Sequence, residues 1–152
     1  MNKLIIAATL LAVAIPGGMA QMGHVTTQAD NLKWSPQPPA LPPGGQIAVL
    51  SGDPGKDAPY VVRAKLPAGY KIPAHTHPQD EHLTIISGSF HIGMGPKFDQ
   101  TKGEKFTAGA YALMPKGMQH YIWFTEDTII QLHGIGPIEF TYIDPADDPR
   151  NK

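Results

Sequence analysis

Residues 69–88 read G-Y-K-I-P-A-H-T-H-P-Q-D-E-H-L-T-I-I-S-G. Side chains alternate across an extended strand, so His75 and His77 project to the same side if this piece is extended. Pro73 and Pro78 bracket the pair and exclude a helix through it. After the polar bend Pro78-Gln79-Asp80, the residues Glu81, Leu83 and Ile85 alternate in step and share one face. A carboxylate on an apolar face is costly unless it is paired or bound to a cation. A metal removes that cost. Two histidines in a proline-rich loop, taken alone, are more often surface residues than ligands, and that reading stays open at this point.

A second patterned stretch, Gly109-A-Y-A-L-M-P-K-G-M-Q-His120, supplies a further imidazole. Three imidazoles and one carboxylate make a complete nitrogen and oxygen ligand set for a divalent transition metal. Together the two blocks also carry a resemblance. Gly69, five residues, His75-x-His77, three residues, Glu81, six residues and Gly88 resemble the first motif of the cupin superfamily. Gly109, five residues, Pro115-x-Gly117, two residues and His120 resemble the second. The usual second motif ends on an Asn where this chain has Phe124, a departure that touches no ligand.

The resemblance implies an all-β fold, a single cupin-type jelly-roll β-barrel (double-stranded β-helix). It implies His75, His77, Glu81 and His120 as ligands to one divalent transition metal per chain: iron, manganese, zinc, nickel or copper. It implies dioxygenase, isomerase or decarboxylase chemistry on a small, oxygen-chelating molecule. The run P-A-G-Y-K-I-P-A-H-T-H-P-Q-D-E-H also resembles the cupin modules of zinc-binding anti-sigma factors, which sense rather than turn over. A storage or structural role with a metal-stabilised oligomer is a third option. No helix-period segment stands ahead of the barrel to bind a sigma factor, so sensing is the alternative to an enzyme.

Composition bounds the rest. The 152 residues suggest one domain, and 12 basic against 13 acidic residues leave no basic patch for nucleic acid. Sixteen glycines and sixteen prolines punctuate short apolar runs, as in an all-β domain. With no cysteine, disulfides, thiol chemistry and lipidation are excluded, and a metal must be held by nitrogen and oxygen. Lys3, the apolar run 4–15 and the small residues Gly18-Met19-Ala20 read as a secretory signal peptide over 1–20, cleaved after Ala20. The mature chain is then expected in a periplasm or outside the cell, with no membrane attachment.

A Pro-rich arm is expected at 21–45, either anchored by Trp34 in an apolar groove of its own domain or of a partner subunit, or an irregular tail. The barrel is expected over 46–143, with strands at 46–50, 60–66, 81–87, 90–94, 111–114, 119–124, 128–133 and 138–143. A loose tail occupies 144–152. Gly88-Ser89 reads as a tight hairpin turn joining strands 81–87 and 90–94, with Ser87 paired to Phe90. That register puts Ile92 and Met94 beside Glu81, Leu83 and Ile85, and turns His82 and His91 away from the metal. Phe124 would line the pocket with Ile122, while Tyr121 and Trp123 would face outward and form a homodimer interface. Gln131 and His133 alternate together and are candidates for contacts behind the metal or with substrate, against a surface position as the alternative; His133 is the best candidate acid or base.

Overall fold

The computed structural model describes residues 24–152. The signal-peptide reading of 1–20 lies outside them. Eleven strands run in chain order: β1 (Ser35–Pro36), β2 (Gln46–Ser51), β3 (Pro59–Leu66), β4 (Lys71–Thr76), β5 (Glu81–Ser87), β6 (Ser89–Met94), β7 (Glu104–Thr107), β8 (Tyr111–Met114), β9 (His120–Phe124), β10 (Thr128–Ile135) and β11 (Thr141–Tyr142). They form two antiparallel sheets. One has the order β1-β2-β3-β10-β5-β8, the other β11-β4-β9-β6-β7. From β3 onward the chain crosses repeatedly between the sheets, which makes a jelly roll.

Period-2 alternation builds the core. On β3 the residues Tyr60, Val62 and Leu66 face in; on β5, Glu81, Leu83 and Ile85; on β10, Ile130 and Leu132. The other sheet contributes Ile72, Phe90, Ile92, Ile122 and Phe124. Sequence alternation thus locates one inner face on each sheet, and joining the two faces removes both from water.

The link between β5 and β6 differs from the expected hairpin. These strands do not pair. β5 lies between β10 and β8, whereas β6 lies between β9 and β7 in the other sheet. Gly88, with φ of 75°, turns a corner between sheets. A Cβ there would meet the Asp127 carbonyl oxygen at 2.5 Å, so glycine serves a close backbone approach. Ser89 N–H donates to Thr128 Oγ1 at 3.2 Å, and the Thr128 hydroxyl donates back to the Ser89 carbonyl at 2.8 Å, pinning the corner. The apolar residues of β5 and β6 both face inward, but across the sandwich from one another. Met94, expected beside Glu81, ends β6 at the rim and is 56% exposed.

Three further expectations change. Tyr121 and Trp123 do not face solvent: with Ala74 they form a second small core, covered by Phe98 and Ile143. Gly93 and Gly103 make room for them, since a Cβ at either would lie 2.1 Å from the Tyr121 or Trp123 ring. The expected interface on these two residues is therefore used up within the chain. Phe124 is buried in the main core. Of the strand expected at 138–143, only Thr141–Tyr142 pairs, with β4. The tail forms two short 3-10 turns, Pro145–Asp147 and Pro149–Asn151, capped by the Asp144 and Asp148 side chains.

Candidate metal centre

His75 arrives on β4 through an irregularity. The β4–β9 register shifts between Ile72 and His75, and Pro73, which has no N–H to give the ladder, lies in the shifted stretch. Beyond the shift His75 pairs across the sheet with His120, the first residue of β9. His77 follows the end of β4, and Glu81 opens β5 in the opposite sheet. The second motif's turn is fastened to the first: Gly117 N–H donates to the His77 carbonyl at 2.9 Å, and Lys116 N–H donates to Asp80 Oδ1 at 2.8 Å. Two stretches remote in sequence thus close around one point.

All four side chains are buried: His75 is 1% exposed, His77 5%, Glu81 4% and His120 0%. Ring centroids lie 4.8 Å apart for His75–His77, 4.3 Å for His75–His120 and 5.3 Å for His77–His120. One ligand atom from each histidine lies within 4.8 Å of the others. Each imidazole donates from Nδ1 to a backbone carbonyl: His75 to Pro73 at 2.7 Å, His77 to Glu139 at 2.7 Å, His120 to Met118 at 3.1 Å. A carbonyl can only accept, so each bond places the proton on Nδ1 and leaves the Nε2 lone pair free. His77 Nε2, His120 Nε2 and Glu81 Oε2 are buried with no hydrogen-bond partner. Glu81 Oε2 lies 3.4 Å from His77 Nε2 and 3.7 Å from His120 Nε2. Buried polar atoms without partners are costly, and a cation among them satisfies all of them together. The three histidines could hold a metal ion, and the donor set suits one bound by nitrogen and oxygen.

The ionisation of the cluster follows from its surroundings. Burial, with the nearby His120 and His77 charges, pushes His75 down to about 3. Burial also lowers His120, against the pull of Glu81. For His77 burial opposes the charged form, but the Glu81 carboxylate and the Glu139 carbonyl outweigh it, and the pKa rises. For Glu81 burial acts upward, but His77 and the other imidazoles outweigh it and the pKa falls. The set therefore favours an ionised Glu81 beside neutral His75 and His120, as a metal needs, while the proton that Glu81 draws onto His77 is one a metal would displace.

Gln131 and His133 lie elsewhere. Ile130 and Leu132 take the inward positions of β10, so alternation turns Gln131 and His133 to the outer face. Gln131 Oε1 accepts from Arg63 Nε at 3.1 Å, and the His133 ring stacks on His82 at 4.9 Å. Neither reaches the cluster, so neither stands behind a metal held there, and both take the outer-face alternative. His82 also stays outside, its Nδ1 2.7 Å from the Tyr111 hydroxyl, and His91 stacks on Trp123 at 4.8 Å.

Three aromatic neighbours of the cluster had no signal in the motifs, one of them Tyr142, 6.0 Å from His75 ring to ring. Phe140 packs against His75 and His77 at ring distances of 5.3 and 4.7 Å. Tyr60, buried on β3, has its hydroxyl pushed up to about 12, by burial and then by the Glu81 charge. The alternation of Tyr60 with Val62 could have placed it inside; nothing local marks Phe140 as a neighbour of histidines more than sixty positions earlier.

An all-β jelly roll with this cluster between its sheets defines a protein of the cupin superfamily. The chain belongs to the ChrR cupin-like domain family, whose model matches residues 22–139. No curated protein matches it. Among solved structures it is similar to the polyketide cyclase RemF from Streptomyces resistomycificus, at 14% identity and a TM-score of 0.66 over 84% of this chain and 90% of that one. It is similar to an acetylacetone dioxygenase from Acinetobacter johnsonii, at 17% identity and a TM-score of 0.60 over 95% and 88%. An RmlC-like cupin protein from Ralstonia eutropha aligns at 20% identity and a TM-score of 0.60 over 80% and 73%. At these identities the likeness carries the fold.

Proposed function

We propose that the chain is a secreted or periplasmic metal-dependent enzyme, of dioxygenase, isomerase or decarboxylase type, acting on a small oxygen-chelating molecule. The observation that carries this reading is the set of buried, partnerless donor atoms on His77, Glu81 and His120, with His75 beside them. His75, His77 and His120 would hold one divalent transition metal, with Glu81 as the fourth ligand. Such an ion supplies Lewis acidity, or electron transfer if it is redox-active. The three backbone carbonyls orient the imidazoles and set their tautomers. Phe140 keeps water from one side of His75 and His77. Tyr60 stays protonated at neutral pH, so its hydroxyl keeps an O–H to donate. The polyketide cyclase and acetylacetone dioxygenase names of two similar structures support small-molecule chemistry on this fold.

A second reading is a non-enzymatic binding or sensing module, favoured by how closed the centre is: the cavity beside it measures about 40 Å3. Secretion rests on the character of residues 1–20 and is tested by N-terminal sequencing of the exported chain, where Gln21 is the expected first residue. Homodimerisation stays a proposal from the resemblance, tested by light scattering. No helix among the described residues is long and apolar enough to cross a membrane.

The deciding experiment is plasma mass spectrometry on untagged protein purified without chelator. About one metal atom per chain, lost in His120→Ala, supports the metal centre. Oxygen uptake or isomer formation with small chelating carbonyl compounds then favours the enzyme, and metal without turnover favours the sensor. A metal-free wild-type chain as stable as His120→Ala would remove the basis of both readings.

A further inference from the structure

The cavity beside His75 and Glu81 is built from both sheets and from the arm that precedes them. Ile72 and Ile122 line it from one sheet, Ile130 and Leu132 from the other. The arm adds Leu41 and Gln37. Apart from His75 and Glu81, Gln37 is the one polar side chain among the described residues lining it.

The arm is fastened over this end of the barrel at several points. β1 pairs with β2, and Gln37 N–H donates to the Gly45 carbonyl at 3.4 Å. The Tyr142 hydroxyl donates to the Ala40 carbonyl at 2.8 Å, and Leu41 packs against the core. The Gln37 side-chain amide Nε2 donates to the Pro42 carbonyl and the Tyr70 hydroxyl. Because the Pro42 carbonyl can only accept, the amide's nitrogen must face it, and Oε1 is left on the side of Gly45 and Leu66, where Leu66 also lines the cavity. Oε1 is buried there with no partner. A buried acceptor without a donor is a cost that a ligand's donor would relieve.

We propose that residues 37–41 of the arm complete the ligand pocket and that Gln37 Oε1 selects its occupant. This rests on the reading of the cluster as a metal centre. The fitting class is a compact oxygen chelator with a hydrocarbon flank and an N–H or O–H donor directed away from the metal. Dicarboxylates are rejected, because chelation through one oxygen of each carboxylate would bury the two outer oxygens and the second negative charge among isoleucine and leucine with no partner. The closed cavity holds little more than a water, so such a ligand enters only when the arm yields.

The test uses the full chain loaded with zinc and titrated by calorimetry with three chelators. Acetohydroxamic acid has chelating oxygens, one methyl and an N–H. Acetylacetone has methyl flanks and no N–H. Malonate has chelating oxygens and an extra charge. Acetohydroxamic acid is expected to bind at least about tenfold more tightly than malonate. Gln37→Leu is expected to weaken acetohydroxamic acid about three- to tenfold and acetylacetone less than about twofold. Gly45→Ala should reproduce this, since its Cβ would lie 2.2 Å from Gln37 Oε1 and displace the amide. Zinc content should stay at the wild-type value in both variants. Malonate binding as tightly as acetohydroxamic acid, or equal loss of both neutral ligands in the variants, overturns the inference while the metal centre stands. A wild-type chain that takes up no zinc overturns the metal centre and this inference with it. If Gln37→Leu does not fold, the wild-type series and Gly45→Ala decide.

Discussion

The same residue type does two different things on the two faces of this barrel. Inside, His75, His77 and His120 are buried, each tethered at Nδ1 to a backbone carbonyl, with Nε2 turned to a common point. Outside, His82 and His133 stack on one another in register, and His82 is tethered to the Tyr111 side-chain hydroxyl. A backbone tether is rigid, and it dictates which nitrogen keeps the proton. A hydroxyl both donates and accepts, so it dictates no tautomer. Histidine becomes fit to hold a metal here through burial and backbone anchoring together, and mere proximity of two imidazoles does not suffice.

The largest expected effect breaks the comparison directly. His120→Ala should lower metal affinity by at least about a hundredfold, while His82→Ala leaves metal content unchanged. Mass spectrometry of both variants checks this, and metal loss in His82→Ala would mean that the outer pair belongs to the centre. Metal removal comes next. A metal held at one hundred times its dissociation constant contributes about 2.7 kcal/mol of stability, so chelator should lower Tm by roughly 5–10 °C in the wild-type chain. It should have no such effect on His120→Ala in a thermal melt.

The third expectation concerns acid. His75 is held down at about 3 in the folded chain against 6.5 when free. Between those values the unfolded chain binds the proton and the folded chain does not, so stability rises with pH there. The chelator-treated protein should therefore lose stability as pH falls from 6.5 toward 3, an acid limb that His120 steepens and His75→Gln flattens. His77, raised by its neighbours, acts the other way: its contribution is present below 6.5 and is lost as pH rises through its folded value. A melt series across this range with no acid limb would contradict the neutral, buried state of His75. The smallest effect sharpens the outer face. His133→Ala should change stability by about 0.5 kcal/mol or less and leave metal content intact.

How far the sequence could be read depended on the range of the interactions involved. Local alternation located the inward face of β5, because a period of two is a property of one strand. The spacing of the two motifs brought the four cluster residues into one list before any fold was known. The hairpin at Gly88 failed because a glycine with positive φ serves a tight turn and a corner equally well; Asp127, almost forty positions away, decides between them. Tyr121 and Trp123 were assigned outward correctly by alternation, but the loop carrying Phe98 covers that face. Gln131 and His133 were paired with each other correctly, but their side stayed open between the cluster and the surface, since alternation has a period and no absolute phase until a neighbouring strand supplies it.

By itself, then, the sequence determined the all-β class, the cupin resemblance and the residues of the cluster, because strand periodicity and motif spacing are local. Only the tertiary structure decided which strands share a sheet, which carbonyl holds each imidazole, and that Gln37 and Phe140 stand beside the centre. Those contacts join positions scores of residues apart, where no local preference reaches, and they arise only when two apolar faces close on each other and exclude water.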